Sequence, residues 1–322
     1  MSRVLVTGAS GYLGTRLVAD LLRDGVGVRA VLRSPTSEAG LRAALARGGA
    51  DAAGLELVYA NLSDDEGWAA AASGIDDVYH VASPMIQTAT AAEVVTPARD
   101  GTLRVLRAAR DAGARRVVVT SSFAAIGYTP KVVREYSEED WTDPETPGLP
   151  AYPLSKAVAE RAAWDFVDRE GGDLELVAIN PTWIAGPTLT TEVRSSLALF
   201  SAMLTGQLPQ VPRQRFGIAD VRDVAALHIA AMAAPDAAGK RYLALADGPT
   251  ITFRDVAQTL RDELGALGEK VSTEETPGDE PSPLVIHNDR AKRELGFEPR
   301  SARSTIIETA ESLRDLGLLG VD

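Results

Sequence analysis

Short runs of β-branched and aliphatic residues alternate with longer stretches of helical spacing through the first 180 residues, and this rhythm most constrains the fold. The runs are VLVTG (4–8), VGVRAVL (26–32), LELVYA (55–60), IDDVYHVA (75–82), RRVVVTSS (115–122) and LELVAIN (174–180). Between them, helical patterns cover 12–25, 41–49 and about Thr96–Ala112. Strands buried on both faces are apolar throughout, and strands joined by helices become parallel neighbours through right-handed crossovers. The pattern predicts an α/β fold, a doubly wound parallel sheet of the Rossmann type.

Two stretches interrupt the rhythm. Residues 129–153 are rich in proline and acid without sustained periodicity, which predicts a long surface loop, with Ser137–Asp143 as a solvated face. After Pro187 the spacing predicts helices near 191–205, 252–267 and 301–316, while 219–232 and 240–246 read as a helix and strand returning to the main sheet. Residues 1–183 with 216–246 are thus expected to form the nucleotide-binding domain. Residues 184–215 and 247–322 are expected to form a smaller C-terminal substrate-binding lobe.

Composition narrows the chemistry. A net charge of −12 argues against nucleic acid or an anionic membrane as a partner, because phosphate binding needs a basic footprint. Cysteine is absent, which removes disulfides, thiol nucleophiles and cysteine-ligated metals. The three histidines, His80, His228 and His287, are far apart, so no metal site is expected. With no apolar run of about 18 residues and no leader pattern at the N-terminus, a cytoplasmic protein is expected.

Directly after the first run comes Gly8-Ala9-Ser10-Gly11-Tyr12-Leu13-Gly14. Glycines at this spacing in a strand-to-helix turn let backbone N–H groups approach a pyrophosphate; a glycine-rich turn without ligand is the competing reading. An acidic residue about 20 positions on would hold the free ribose hydroxyl of NAD. Here the second run ends in Arg33, whose guanidinium suits a 2′-phosphate and favours NADP, though a solvated surface arginine would look the same.

Tyr152 and Lys156 are four residues apart, on one face of a helix whose first turn holds Pro153. A phenol with a pKa near 10 moves protons poorly at pH 7, and an ammonium one turn away favours its phenolate. Seven tyrosines and only five lysines make such a pair a chance event about 0.1 times in this chain. The run ending Thr120-Ser121-Ser122 places a hydroxyl at the carboxyl end of a strand, where doubly wound sheets bind ligands. Ser122 is the preferred candidate to hold a substrate carbonyl, with Ser121 as the alternative.

The glycine loop, the TSS strand end and Tyr-x-x-Ser-Lys together resemble the extended short-chain dehydrogenase/reductase superfamily. HVASP (80–84), VVTPARDGTLRVLRAA (94–109), TSSFAAIGY (120–128), AYPLSKAVAERAAW (151–164), NPTWIAGP (180–187), DVRDVAALH (220–228) and NDRAKRELGFEPRS (288–301) resemble its branch of dihydroflavonol and cinnamoyl-CoA reductases and yeast-type methylglyoxal/ketone reductases. The resemblance implies NADPH-dependent reduction of an aldehyde or ketone by Ser122, Tyr152 and Lys156. It implies cofactor contacts at Gly8, Ser10, Gly11, Tyr12, Leu13, Gly14, Arg33, Val81, Ala82, Ser83 and Pro181, besides Tyr152 and Lys156. Near the adenine the family usually has Asp-Leu where this chain has Asn61-Leu62, which leaves contact at Asn61 and Leu62 less secure.

Ser83, Pro84, Phe123, Tyr128, Trp183, Phe200 and Met203 are the candidate pocket walls, mostly apolar, which suits an aryl or alkyl carbonyl compound; core packing is the alternative for each. Two rival functions stay open, an NAD-retaining sugar-nucleotide epimerase or dehydratase of the same superfamily and a non-catalytic dinucleotide sensor. Monomer and homodimer are both compatible with the sequence.

Overall fold

Six of the apolar runs and the return strand near 240 pair into one parallel sheet in a computed structural model, which describes residues 3–84 and 91–320. The strands are β1 (Arg3–Thr7), β2 (Gly27–Leu32), β3 (Leu55–Tyr59), β4 (Asp77–His80), β5 (Arg116–Thr120), β6 (Glu175–Pro181) and β7 (Arg241–Ala244). Their spatial order is β7-β6-β5-β4-β1-β2-β3. The order reverses between β1 and β4, so a crevice opens there at the carboxyl ends of the strands, where such sheets take ligands.

Period-two alternation divides the core between the two faces of the sheet. Val4, Val6, Tyr79, Val118, Val177 and Ile179 pack with α1 (Tyr12–Arg23), α2 (Glu38–Arg47) and α7 (Val221–Ala233). Leu5, Val78, Val117, Val119, Leu176 and Ala178 pack on the other face with α3 (Trp68–Ala72), α4 (Ala91–Asp111) and α5 (Ala151–Glu170). A further cluster joins α6 (Ser196–Leu204), α8 (Phe253–Glu263) and α10 (Ala302–Asp315), and α9 (Asp289–Leu295) lies on the first face through Ala291. No helix among the described residues is long and apolar enough to cross a membrane.

Several expected elements change. The 191–205 helix begins only at Ser196, and Ile218–Asp220 is a short strand paired with Trp183–Ala185 before α7 starts. Asp220 accounts for that boundary, since its side chain accepts the Arg222 N–H and caps α7. The 129–153 segment is not a uniformly solvated loop. Glu135–Tyr136 pairs with Val285–Ile286, and Tyr136, Glu138 and Thr142 are buried. Glu138 lies within the supposedly solvated acidic run, yet it accepts the Leu243 N–H at 3.1 Å on the edge strand β7. Burial pushes its carboxyl up from the ordinary glutamate range. An edge strand with an unpaired N–H needs an acceptor, and this loop supplies it.

Candidate active site

The glycine loop takes its shape from backbone approach. Gly8 has φ +68°, and a Cβ there would stand 2.8 Å from Ala82 N and 2.9 Å from Ala82 Cα. A Cβ on Gly14 would stand 2.0 Å from the Gly8 carbonyl oxygen, so α1 reaches β1 only because position 14 is bare. Gly11 is exposed at the N-cap of α1 and supplies no side-chain cap, leaving the first N–H groups of the helix for a ligand. Residues present therefore fit a dinucleotide pyrophosphate. The Tyr12 hydroxyl donates to the Gly186 carbonyl at 2.5 Å, and Leu13 is in the core. Neither side chain is available to a cofactor, so contact at these two positions is restricted to the backbone. Ser10 lies half-buried in the same loop.

Beside it, β4 and β1 end in register, with Thr7 opposite His80. Ala82 N–H donates to Thr7 Oγ1 at 3.1 Å, and Thr7 Oγ1–H donates to His80 Nδ1 at 2.8 Å. His80 Nε2–H points to Thr102 Oγ1 at 3.4 Å, whose own proton goes to the Ala98 carbonyl. This chain fixes the tautomer and holds Val81-Ala82-Ser83 beside the glycine loop. Burial, reinforced by the Lys156 charge, pushes the His80 pKa down to about 3. Arg33 is exposed at the end of β2 and makes no hydrogen bond or ion pair with the described residues. Asn61 Oδ1 accepts the Ser63 N–H at 3.2 Å in an Asx-type turn, while Leu62 packs against Gly101.

Tyr152, Lys156 and Ser122 converge at the same rim. The helix α5 begins at Ala151 after Pro150, so Tyr152 lies in its first turn with Lys156 one turn on. Tyr152 Oη stands 3.5 Å from Ser122 Oγ, the outer limit of a hydrogen bond. Lys156 Nζ lies 5.9 Å from the Tyr152 ring centroid and donates to Ser83 Oγ at 3.2 Å. Ser121 points the other way, its hydroxyl donating to the buried Glu160 carboxylate. Tyr128 keeps 38% of its surface exposed, but partial burial first, and the nearby Tyr152 phenol second, raise its pKa. Phe123 packs on Tyr128 and Tyr136 with centroids 6.3 and 5.7 Å apart.

The remaining pocket candidates separate. Ser83, Pro84, Phe123 and Trp183 are half-buried and Tyr128 is exposed. Phe200 and Met203, at 0% and 1% exposure, are core residues rather than walls. Phe200 stacks against Trp183 at 5.2 Å and backs it from inside. Pro181 is buried at the end of β6. Sequence reasoning missed Glu160, Asn180 and Arg241, a buried hydrogen-bonded cluster that reaches the Ser122 carbonyl through Asn180. The spacing Tyr152, Lys156, Glu160, Trp164 on one helical face was the available signal.

A family model described as the NAD dependent epimerase/dehydratase family matches residues 4–244. The chain belongs to this family. It is 33% identical to cinnamoyl-CoA reductase 1 of Arabidopsis thaliana over 98% of this chain and 90% of the relative. It is 32% identical to dihydroflavonol 4-reductase of Zea mays over 80% and 73% of the two chains. Among solved structures, yeast methylglyoxal/isovaleraldehyde reductase Gre2 complexed with NADPH superposes with a TM-score of 0.82 at 26% identity, covering 98% of this chain and 99% of the other.

Proposed function

We propose that the chain is an NADPH-dependent reductase of aldehydes or ketones. The observation that carries the reading is the approach of Tyr152 Oη to within 3.5 Å of Ser122 Oγ, with the Lys156 ammonium beside the same ring. The dinucleotide would lie across the glycine loop, its pyrophosphate on the N–H groups of the first turn of α1, since the Gly11 N–H already donates to the Gly8 carbonyl. Arg33, whose charge has no partner among the described residues, would take the 2′-phosphate. Asn61 and Leu62 would border the adenine, and Val81, Ala82, Ser83 and Pro181 the inner part of the cofactor. The reductases among the relatives, and the NADPH held by the yeast structure, support this choice.

Bound there, NADPH supplies a hydride to the substrate carbonyl carbon. Tyr152 donates its phenolic proton to the oxygen as negative charge develops, and the Ser122 hydroxyl donates a second hydrogen bond to that oxygen. Lys156, its ammonium beside the same ring, balances the negative charge left on Tyr152 and would hold the cofactor ribose. Ser83, Phe123, Tyr128 and Trp183 are the proposed walls, and their apolar surface favours an aryl or alkyl carbonyl compound. The segments 184–215 and 247–322 would form the substrate side.

Tyr152→Phe tests the assignment in an NADPH-consumption screen against aromatic, aliphatic and dicarbonyl compounds. It should lower kcat by about 10²–10⁴-fold while NADPH binding persists. Retained turnover would remove Tyr152 from the proton donor's role.

A further inference from the structure

Behind the trio lies a buried ion pair that the proposed chemistry does not use. Glu160, 3% exposed, follows Lys156 by one turn of α5. Its Oε1 accepts from Arg241 Nε at 2.6 Å and from Trp164 Nε1 at 3.3 Å. Its Oε2 accepts from Asn180 Nδ2 at 2.7 Å and from the Ser121 hydroxyl. Asn180 Nδ2 also donates to the backbone carbonyl of Ser122 at 3.2 Å. One carboxylate thus ties the helix that carries Tyr152 and Lys156 to the strand end that carries Ser122.

Arg241, 6% exposed, extends the tie to the 129–150 segment. Its Nη1 donates to the Glu138 and Asp140 carbonyls at 2.9 and 2.6 Å, and its guanidinium stacks 3.7 Å from the Trp141 ring centroid. That segment returns through Thr142, which donates to the Ala124 carbonyl and accepts the Tyr128 N–H, next to Phe123 and Ser122. Glu160 and Lys156 also line one cavity of about 20 Å³, together with Ser121, Ser83 and His80.

Stability is a poor explanation for this arrangement. Burying two charges carries a desolvation cost that their attraction often fails to recover, and apolar replacements of such pairs are frequently neutral or stabilising. Two polar atoms of the cluster, Asn180 Oδ1 and Arg241 Nη2, are buried without a hydrogen-bond partner, a further cost. What the pair provides is geometry, because α5, the end of β5, β6, β7 and the 129–150 segment meet at two side chains with fixed bonding directions.

We propose that Glu160, held by Arg241, is the positioning residue that sets Tyr152 against Ser122. The proposal rests on the reading of Ser122, Tyr152 and Lys156 as the reacting trio. Removing the carboxylate frees Asn180 and Ser121, lets the Ser122 strand end slide relative to α5, and lengthens the Tyr152–Ser122 separation.

The test compares the wild-type chain, Glu160→Gln, and the double variant Glu160→Leu with Arg241→Met. The double variant removes both charges together and leaves no unpaired ion to unfold the protein. Three quantities are measured: NADPH affinity by fluorescence titration, kcat per NADPH-binding site with methylglyoxal and isovaleraldehyde as probes, and the Tyr152 Oη–Ser122 Oγ distance in crystal structures of each protein. Both variants should bind NADPH within about threefold of wild type and lose about ten- to hundredfold in kcat per site, the scale of a misplacement near 1 Å. Their Oη–Oγ distance should exceed the present 3.5 Å. An unchanged distance, an unchanged kcat per site, or an activity loss that only tracks the loss of NADPH-binding sites overturns the proposal. Tyr152→Phe is run alongside. If it keeps its turnover, the trio reading fails by itself, and the crystallographic distance still decides the role of Glu160.

Discussion

Two of the three histidines are buried without charge, which makes the folded state acid-sensitive by an amount the structure sets. His80 accepts from Thr7 on one ring nitrogen and points the other at Thr102. His228 donates from Nδ1 to the Val224 carbonyl and accepts from Thr120 at Nε2, each at 2.7 Å. Burial lowers their pKa values from 6.5 to about 3 and about 4. Because the folded values are depressed, the unfolded chain binds more protons below 6.5, and folding stability falls as pH drops from there towards 4. Each histidine contributes a slope of about 1.4 kcal/mol per pH unit near pH 5, together about 2.7, and on the order of 3–5 kcal/mol each across the window. That sum rivals the whole stability of an ordinary domain. Glu138 and Asp223, raised by burial, take up protons more readily folded than unfolded and so oppose the slope in part. Urea unfolding at half-unit steps from pH 7 to 4.5 measures the slope, and His228→Asn should reduce it by about 1.4 kcal/mol per pH unit. A stability that is flat between pH 6.5 and 5, or NMR titration of the His80 or His228 ring near 6.5, would refute the reasoning.

Three substitutions probe other parts of the molecule. Arg33→Asp should cost NADPH binding about 10–100-fold relative to NADH, the value of a charged hydrogen bond, read from the ratio of the two dissociation constants. Gly8→Ala places a methyl against the Ala82 backbone at φ +68°, where the conformation alone costs about 1–2 kcal/mol, so urea unfolding should show a loss of stability of at least that size. Phe200→Ala should lower unfolding free energy by about 3–5 kcal/mol as a core truncation, read from urea unfolding at pH 7.

The parts legible in the sequence are those written in local spacing. All seven strands of the main sheet, the glycine loop and the Tyr152–Lys156 helix follow from residues within a few positions of one another. Phe200 and Met203 are ambiguous in sequence because hydrophobicity is the same signal in a pocket wall and a core; their full burial, with Phe200 stacked behind Trp183, decides for the core. Ser137–Asp143 reads as a solvated face for the opposite reason, since a charged run in sequence gives no sign that the edge strand β7 has an N–H in need of Glu138. Glu160 lies between these cases. Its place on the Tyr152 face is visible at a four-residue spacing, but its partners are Arg241, 81 positions away, and Asn180, 20 positions away. The strand order that brings β5, β6 and β7 side by side under α5 is what turns an unremarked glutamate into a junction. A helix face can therefore declare its reacting residues in sequence while the residue that aims them becomes readable only through the sheet it stands on.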